Sequence, residues 1–330
     1  MAVVELTVAD LGEDRLLERL FPVLPAGSWT ILGPGDDAAV VAAADGRVVV
    51  TTDVLVADQH FRMAWASGAD VGWRAAAANL ADIAAMGARP TALVVALVVP
   101  PTTAVAWLTD LADGLAQACA PLGVGVVGGD LSAGPQIVVS VTALGDLQGR
   151  EPITRDGGRP GDVVAHAGVC GHSAAGLALL SAGAGHGPAD REQLIAVYLR
   201  PRPPITAGVA AAEHGATAMI DLSDGLLRDA GRLARASGVV VGLEDTGRAF
   251  GGDHALLAPA AEALGADAGS WILSGGEDHG LLATFPAGAT LPEPFRAIGV
   301  LQAPGAHPAG TVLVDGVEPT GSPGWDHFAR

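Results

Sequence analysis

Residues 68–100, GADVGWRAAAANLADIAAMGARPTALVVALVVP, join a long alanine-rich segment to an apolar, β-branched run. Gly87 and Pro90 follow the alanine-rich part and favour a helix end there, so the pattern predicts a helix over 70–86. The run TALVVALVVP (91–100) is short, valine-rich and stopped by proline, which predicts a buried strand rather than a membrane span. A helix followed directly by a buried strand is typical of α/β architecture.

The same kinds of pattern extend to both sides of this stretch. They predict helices at 13–20 and 102–123, a strand at 47–56 and two strands within 124–147. The segment QGREPITRDGGRPGD (148–162) is rich in glycine, proline and charge and marks a boundary. Because 330 residues exceed one ordinary core, we predict two α/β (or α+β) domains, at 1–148 and 149–330.

Composition excludes several classes of function. The net charge of −18 argues against nucleic acid or an anionic membrane as a partner. All 18 basic residues are arginines, so a phosphate-binding loop that depends on lysine is excluded. Cys119 and Cys170 fit neither a disulfide framework nor a metal knuckle. The N-terminus has no basic start before an apolar block, so we expect no signal peptide and a cytoplasmic protein.

Asp82 stands out because the helix that carries it is apolar on almost every side. Such a helix should be buried, and Asn79 and Asp82, three residues apart, share a face as its polar groups. A buried carboxylate needs a cation or has to protonate, and the chain has no lysine to pair with it. A metal ion is the favoured partner, and a hydrogen bond to a neighbouring backbone is the alternative.

Five further segments place acidic residues beside glycines or where apolar runs end. They read GPGDDAAVV (33–41), VTTDVLVADQHF (50–61), VVGGDLSAG (126–134), MIDLSDGLL (219–227) and LSGGEDHGLL (273–282). We predict that Asp130 follows two glycines at a strand end and that Asp221 and Asp224 lie at a strand-to-helix junction. Taken singly, each segment also fits an ordinary strand end, hairpin turn or helix N-cap.

Together these segments favour magnesium. The chain has 25 Asp against 11 Glu, and aspartate is the acid preferred in turns and metal-binding loops. Asp36 and Asp37 are adjacent like charges that repel each other until cations arrive. A lysine-free chain that transfers phosphoryl groups would need several Mg²⁺ ions to neutralise a polyphosphate. The histidines show no zinc-binding spacing, and we interpret His166, His172 and His279 as structural.

The order of the motifs resembles that of the thiamine-monophosphate kinases, which belong to the aminoimidazole-ribonucleotide synthetase-like (PurM-like) superfamily of ATP-binding proteins. The similarity runs nearly end to end, through GDDAAVV, TTDVLVADQHF, NLADIAAMGARP, GGD, TRDGGRPGD, IDLSDGL, SGGED and GWDHF. The His-Phe pair after TTDVLV, the NLADIAAMGA helix and the terminal GWDHF distinguish this kinase family from its superfamily relatives.

The resemblance implies a two-domain PurM-like fold and a homodimer in which the N-terminal domains pair their sheets. It also implies ATP and Mg²⁺ as cofactors and thiamine monophosphate as the acceptor. Matched by motif, the implied metal ligands are Asp37, Thr51, Thr52, Asp53, Asp82, Asp130, Asp221 and Asp224. The implied catalytic residues among them are Asp53, Asp130 and Asp224. The implied nucleotide contacts are Gly129, Asp130, Arg155 and Ser223. The implied acceptor contacts are His60, Glu277 and Trp325.

The chain departs from the usual family motifs at Gln59, Leu131, His279 and Gly280, and it lacks an aromatic residue often found before the GGD strand. These departures affect the acceptor side and adenine stacking, whereas the candidate metal ligands are retained. Two alternatives therefore stay open. One is a sister ATPase that activates an amide or carbonyl oxygen, and the other is a nucleotide-binding homologue without catalysis.

Overall fold

The computed structural model describes residues 6–33, 39–184 and 187–325. The chain divides into two compact units, of which the first takes in Met1–Ile83 and Arg89–Gly149 and the second Ala84–Ala88 and Arg150–Arg330. In the described ranges no helix combines the length and the apolar character that crossing a membrane requires. Asp36 and Asp37, the paired carboxylates of the GPGDDAAVV segment, lie outside the described residues.

The first unit builds a four-stranded sheet and the helices that cover it. In chain order its elements are α1 (Val8–Leu11), α2 (Glu13–Leu20), β1 (Thr30–Leu32), β2 (Val40–Val41), β3 (Val49–Val56), α3 (Gly68–Ala85), β4 (Arg89–Val99), α4 (Val105–Cys119), β5 (Gly125–Ala133) and β6 (Val138–Asp146). The strands follow the order β3-β6-β4-β5, and β1 pairs separately with β2. Only β4 and β5 of the four run parallel, which is possible because α4 provides the crossover between them.

The predicted helix and strand of residues 68–100 are confirmed as α3 and β4. The strand begins earlier than predicted, at Arg89, so Pro90 lies inside β4 opposite Gly145 instead of ending the helix. Proline lacks an N–H group and is tolerated near the start of a strand. The prediction that Asp130 lies at a strand end is wrong. Parallel pairing with β4 continues through Ala133, so the strand does not stop at Asp130.

Glycines allow α3 and α4 to pack closely. A Cβ atom at Gly72 would lie 2.0 Å from the carbonyl oxygen of Leu111, and one at Gly114 would lie 2.1 Å from that of Ala69. Real side chains do not approach a backbone oxygen so closely, so only glycine fits at these two positions. This contact fixes α3, and with it Asp82, relative to the rest of the first unit.

The second unit is built around a six-stranded sheet. Its elements are β7 (Val163–Ala167), α5 (His172–Ser181), α6 (Ala189–Leu199), α7 (Ile205–Glu213), β8 (Ala218–Leu222), α8 (Leu226–Ser237), β9 (Val240–Leu243), α9 (Thr246–Ala249), α10 (Gly251–Leu264), α11 (Ala268–Ser274), β10 (Gly280–Phe285), β11 (Arg296–Gln302) and β12 (Val312–Val314). The strand order is β12-β9-β11-β7-β10-β8, and every pair except β12 with β9 is antiparallel.

The core of the second unit lies between this sheet and its helices. Ile220 of β8, Leu226 of α8 and Leu282 of β10 are buried in one continuous cluster. Strand β10 is buried along its whole length, as expected for a strand with neighbours on both edges and helices over it. Rigid strands therefore lead directly into the two loops that carry the acidic motifs of this unit, after β8 and before β10.

We expect Gly72→Ala to destabilise the first unit by at least about 2 kcal/mol, because its methyl group would collide with backbone that cannot move aside. Urea unfolding followed by tryptophan fluorescence measures this. Gly252→Ala in α10 is the matched control, since no heavy atom lies within 4 Å of a Cβ there. That variant should be unchanged or slightly more stable. Equal midpoints for both variants would contradict the packing described.

Candidate functional site

In the first unit, β3 and α3 bring three of the predicted site residues together. The hydroxyl of Thr51 donates a 2.9 Å hydrogen bond to the half-buried carboxylate of Asp82. Asp53, two residues further along the strand, points to the same side of the sheet and is exposed. Thr52 points to the other side, where its hydroxyl donates to the Val141 carbonyl oxygen at 2.9 Å.

Gly129 and Asp130 lie on β5, at the other edge of the sheet. A Cβ atom at Gly129 would lie 1.9 Å from the Val95 carbonyl oxygen, so the position accepts only glycine. Asp130 is exposed, and one of its carboxylate oxygens accepts a 2.9 Å hydrogen bond from the Ser132 hydroxyl. Two strands separate β3 from β5, so Asp53 and Asp130 are about 14 Å apart within one copy of this unit.

His60 lies in the turn that follows β3. Its Nδ1 accepts a 2.9 Å hydrogen bond from the backbone N–H of Val56. A neutral imidazole has one donor and one acceptor nitrogen, so the proton of His60 is on Nε2. The half-buried ring is thereby held in one orientation with Nε2 as its donor.

In the second unit, backbone hydrogen bonds join three segments that are far apart in the sequence. The N–H of Glu277 donates to the Ser223 carbonyl oxygen at 2.8 Å, and the N–H of Trp325 donates to that of Asp224 at 2.8 Å. Asp221 precedes Ser223 at the end of β8 and is 5% exposed. The structure thus brings five predicted site residues of this unit into one place.

Two glycines permit this convergence. A Cβ atom at Gly276 would lie 2.4 Å from the Ser223 carbonyl oxygen, and one at Gly324, whose φ is +149°, would lie 2.2 Å from that of Asp224. Any side chain at either position would push its segment away from the β8–α8 loop. The glycines of the SGGED and GWDHF motifs therefore have a steric role at the site.

The β8–α8 loop is held by a residue that was not among the predicted site residues. Gly225 is the N-cap of α8 and has no side chain to cap it, so neither Ser223 nor Asp224 takes the N-cap position. Instead Asp229, which is 0% exposed, accepts hydrogen bonds from the N–H groups of Asp224 and Gly225 at 3.0 and 3.1 Å. This buried carboxylate fixes the backbone of the loop.

Arg232 also connects Asp229 to the β8–α8 loop, through ion pairs with both Asp229 and Asp224. Its guanidinium lies 2.6 Å from the carboxylate of Asp229 and 2.7 Å from that of Asp224. Burial and the nearby Asp221 carboxylate raise the pKa of Asp229 to about 6, while the Asp224 N–H and Arg232 act in the opposite direction. Asp229 lies on the apolar face of α8 with Leu226, and that helical spacing was the signal in the sequence that could have identified it.

Other predicted residues take different places. Arg155 is exposed, and its carbonyl oxygen accepts a hydrogen bond from Ser237 at the C-terminal end of α8, away from Ser223 at the other end. His279, interpreted as structural, lies with Nδ1 3.5 Å from the carboxylate of Asp221, and both side chains are buried. Asp37 falls in the part of the chain that the structure does not describe.

The donor atoms in both units suit magnesium. Carboxylates and a threonine hydroxyl are hard oxygen ligands, and Mg²⁺ takes one or two carboxylates together with water and substrate phosphates. Within 6–33, 39–184 and 187–325, no three acidic, histidine or cysteine side chains converge closely enough to hold a metal ion by themselves. The exposed Asp53 and Asp130 therefore fit ions that are shared with a phosphate ligand rather than enclosed by protein.

Comparison with known proteins gives concordant matches. Residues 35–147 match the family described as AIR synthase related protein, N-terminal domain. A thiamine-monophosphate kinase of Mycobacterium tuberculosis is 47% identical over 325 residues, which cover 98% of this chain and 94% of the relative.

Solved structures agree with the sequence matches. The thiamine-monophosphate kinase of Stenotrophomonas maltophilia superimposes with a TM-score of 0.77 at 31% identity, covering 93% of this chain and 96% of that one. AaThiL complexed with AMPPCP and TMP superimposes with a TM-score of 0.76 at 30% identity, covering 99% of this chain and all of that one.

The raised pKa of Asp229 predicts a pH dependence of stability. Because the folded-state pKa of about 6 exceeds the ordinary value of 3.8, the folded chain holds this proton more tightly, and stability falls as pH rises from about 4 to about 6. Asp229→Asn should reduce this pH-dependent loss in the free energy of unfolding by up to about 3 kcal/mol.

Melting temperatures between pH 4 and 7.5 in metal-free buffer check this prediction. Hydrogen bonds from Ser270 lower the pKa of Asp267 instead of raising it, so Asp267→Asn serves as the control. Melting curves of Asp229→Asn that run parallel to those of the unaltered chain would contradict it.

Proposed function

The chain belongs to the thiamine-monophosphate kinase family, and on that basis we propose that it transfers the γ-phosphoryl group of ATP in line to thiamine monophosphate, assisted by several Mg²⁺ ions. The chain is an enzyme that phosphorylates thiamine phosphate, and ATP is its donor. The observation that carries the mechanism is the backbone-bonded convergence of Ser223, Asp224, Glu277 and Trp325. The proposal is supported by these backbone bonds, because they bring Asp224, our proposed metal ligand, close to Glu277 and Trp325, our proposed acceptor contacts.

The acceptor has two chemically distinct ends. Its thiazolium ring is cationic, so the carboxylate of Glu277 and the face of Trp325, which is 57% exposed, are suitable neighbours for it. Its phosphate is anionic and can accept a hydrogen bond from Nε2–H of His60, whose other nitrogen is already engaged. We assign these three residues to acceptor binding.

The attacking atom needs no general base. A phosphate monoester has a second pKa of about 6, so its oxygen is already largely ionised at neutral pH. The remaining obstacle is repulsion between this dianion and the phosphates of ATP. Mg²⁺, when bound, neutralises phosphate oxygens and aligns the donor and acceptor phosphates for in-line attack. Asp53, Asp130 and Asp224 would supply the carboxylates that hold the ions.

The nucleotide is assigned to the region of Gly129 and Asp130. A cavity of about 480 Å³ in the first unit adjoins these two residues. Its walls are largely aliphatic, with Leu17, Leu111 and Val126 among the lining residues, and suit an apolar purine ring. The backbone at Gly129 can approach a phosphate closely because no side chain intervenes. Ser223 and Arg155 are assigned as further nucleotide contacts.

We also propose that the chain forms a homodimer through the sheet of the first unit. On the side of the sheet opposite Asp53, Val50 is 63% exposed and Val54 is 45% exposed, with Thr52 between them. Exposed valines on an edge strand are a liability unless another surface covers them. A second copy of the same sheet is the occupant that the family resemblance indicates, and sedimentation equilibrium tests it.

The experiment that tests the proposed function measures ADP and thiamine diphosphate together. Purified chain receives ATP with and without thiamine monophosphate, each in Mg²⁺ and in EDTA. The proposal expects release of ADP only when acceptor and metal are both present, with an equal amount of thiamine diphosphate. ADP release that is independent of thiamine monophosphate would favour a sister ATPase. Nucleotide binding without turnover would favour a non-catalytic homologue.

Asp224→Asn should lower kcat at least about 100-fold, because the variant loses a carboxylate charge that would hold Mg²⁺ against the transferring phosphates. Steady-state kinetics check this, and the melting temperature should change little because the Asp229–Arg232 pair remains. Asp315→Asn is the control, since Asp315 also pairs with an arginine, Arg248, but is exposed and separate from the β8–α8 loop. Full activity of Asp224→Asn would remove this residue from the metal ligands.

Trp325→Ala should raise KM for thiamine monophosphate roughly 3- to 30-fold, the scale of one cation–π contact, and leave KM for ATP unchanged. Trp325→Phe keeps an aromatic face and should recover most of the affinity. A change in KM for ATP, with that for the acceptor unaffected, would show that Trp325 does not bind the acceptor.

A further inference from the structure

In the segment 275–279, between α11 and β10, two residues with side chains have a backbone conformation that such residues rarely adopt. Glu277 has φ of 69° and His279 has φ of 53°, both in the left-handed region. Residues with a Cβ atom rarely adopt this region, and they keep it only where surrounding contacts hold them there. The direction in which the Glu277 side chain points therefore depends on whatever fixes this segment.

One side of the segment is fixed by backbone hydrogen bonds. The N–H of Glu277 donates to Ser223, as described above, and the N–H of His279 donates to the Leu222 carbonyl oxygen at 3.1 Å. These bonds attach the segment to the end of β8. By themselves they leave its other side, which faces α5, without an anchor.

Asp278 supplies that second anchor. Its side chain is 4% exposed, and its two carboxylate oxygens accept hydrogen bonds from the N–H groups of Gly171 and Ser173. The Ser173 hydroxyl in turn donates to the Glu277 carbonyl oxygen at 2.9 Å. In all three hydrogen bonds the start of α5 is the donor and segment 275–279 is the acceptor.

The start of α5 is suited to hold a carboxylate. Gly171 is the N-cap of α5 and has no side chain, so the first N–H groups of this ten-residue helix need an acceptor from elsewhere. A negative charge at a helix N-terminus is also favoured by the helix dipole. Burial raises the pKa of Asp278, and the hydrogen bonds from Ser173 counteract that rise. A carboxylate matches two N–H donors, whereas an amide has only one oxygen to offer.

We propose that Asp278 is a positioning residue for acceptor binding, which holds Glu277 in its left-handed conformation by anchoring segment 275–279 to the start of α5. The inference rests on the proposed function, which assigns Glu277 to the thiazolium of the acceptor. Asp278 itself is buried behind the segment and does not touch the acceptor. Its effect is therefore on acceptor affinity, through Glu277, and not on nucleotide binding.

The test is a double-mutant cycle in the full chain, with KM measured for both substrates. Asp278→Asn leaves one carboxamide oxygen for two N–H donors, so KM for thiamine monophosphate should rise about tenfold or more, the scale of a buried hydrogen bond to a charged group. KM for ATP should stay unchanged. Glu277→Gln should also raise the KM for thiamine monophosphate. Adding Asp278→Asn to Glu277→Gln should raise that KM no further, because both substitutions remove the same contact between Glu277 and the acceptor.

Asp267→Asn is the matched control. Asp267 also accepts two N–H bonds at a helix start, from Gly269 and Ser270 of α11. Its replacement should lower the melting temperature without changing either KM. If Asp278→Asn does not fold, Ser173→Ala takes its place, since it removes the hydroxyl bond to Glu277, keeps the two backbone N–H bonds to Asp278 and should raise KM for the acceptor about threefold.

Three results would overturn the proposal, and they are distinguishable. The first is an unchanged KM for thiamine monophosphate in Asp278→Asn, or in Ser173→Ala if that variant replaces it, while Glu277→Gln raises this KM. This result would exclude positioning by Asp278 and leave the proposed function intact. An unchanged KM in Glu277→Gln would exclude both positioning and the acceptor role of Glu277. If the unaltered chain shows no thiamine-dependent release of ADP, the proposed function itself fails and the inference fails with it.

Discussion

Hydrogen bonds from backbone N–H groups to buried carboxylates are the interaction on which the rest of the second unit depends. The chain has no lysine, so an acid that is removed from water relies on arginines, histidines, hydroxyl groups and backbone N–H groups. Asp229 takes two N–H groups before α8, and Asp278 takes two at the start of α5. Each carboxylate thereby fixes a loop that has no regular secondary structure of its own.

This arrangement separates the acidic residues into two groups with different physical roles. Two buried carboxylates, Asp229 and Asp278, accept hydrogen bonds from backbone N–H groups and hold the backbone of the loops. The accessible ones, such as Asp53 and Asp130, are stable in water and can bind cations. Glycines at positions such as Gly276 let separate segments come within hydrogen-bond distance of the β8–α8 loop. The carboxylates that hold the backbone and the exposed carboxylates that can bind cations are therefore different residues.

Periodicity and composition predicted much of the fold, because α3, β4 and the strand–turn–helix around residues 218–237 are set by local pattern. The extension of β5 past Asp130 was missed because pairing with β4, a non-local contact, decides where that strand ends. The role of Asp278 was also hidden, since its partner Ser173 is 105 positions away in sequence. Asp229 was detectable from helical spacing. The order of the motifs identified the candidate metal ligands. It did not reveal which carboxylates accept hydrogen bonds from backbone N–H groups.

We expect the exposed carboxylates to require cations before two anionic substrates can bind together. The most direct measurement is calorimetric titration of a non-hydrolysable ATP analogue into the chain saturated with thiamine monophosphate, in Mg²⁺ and in EDTA. We expect the analogue to bind in Mg²⁺ and its affinity to fall by roughly 100-fold or more in EDTA, since repulsion among carboxylates and phosphates is then uncompensated. Equal affinity in both buffers would contradict this expectation.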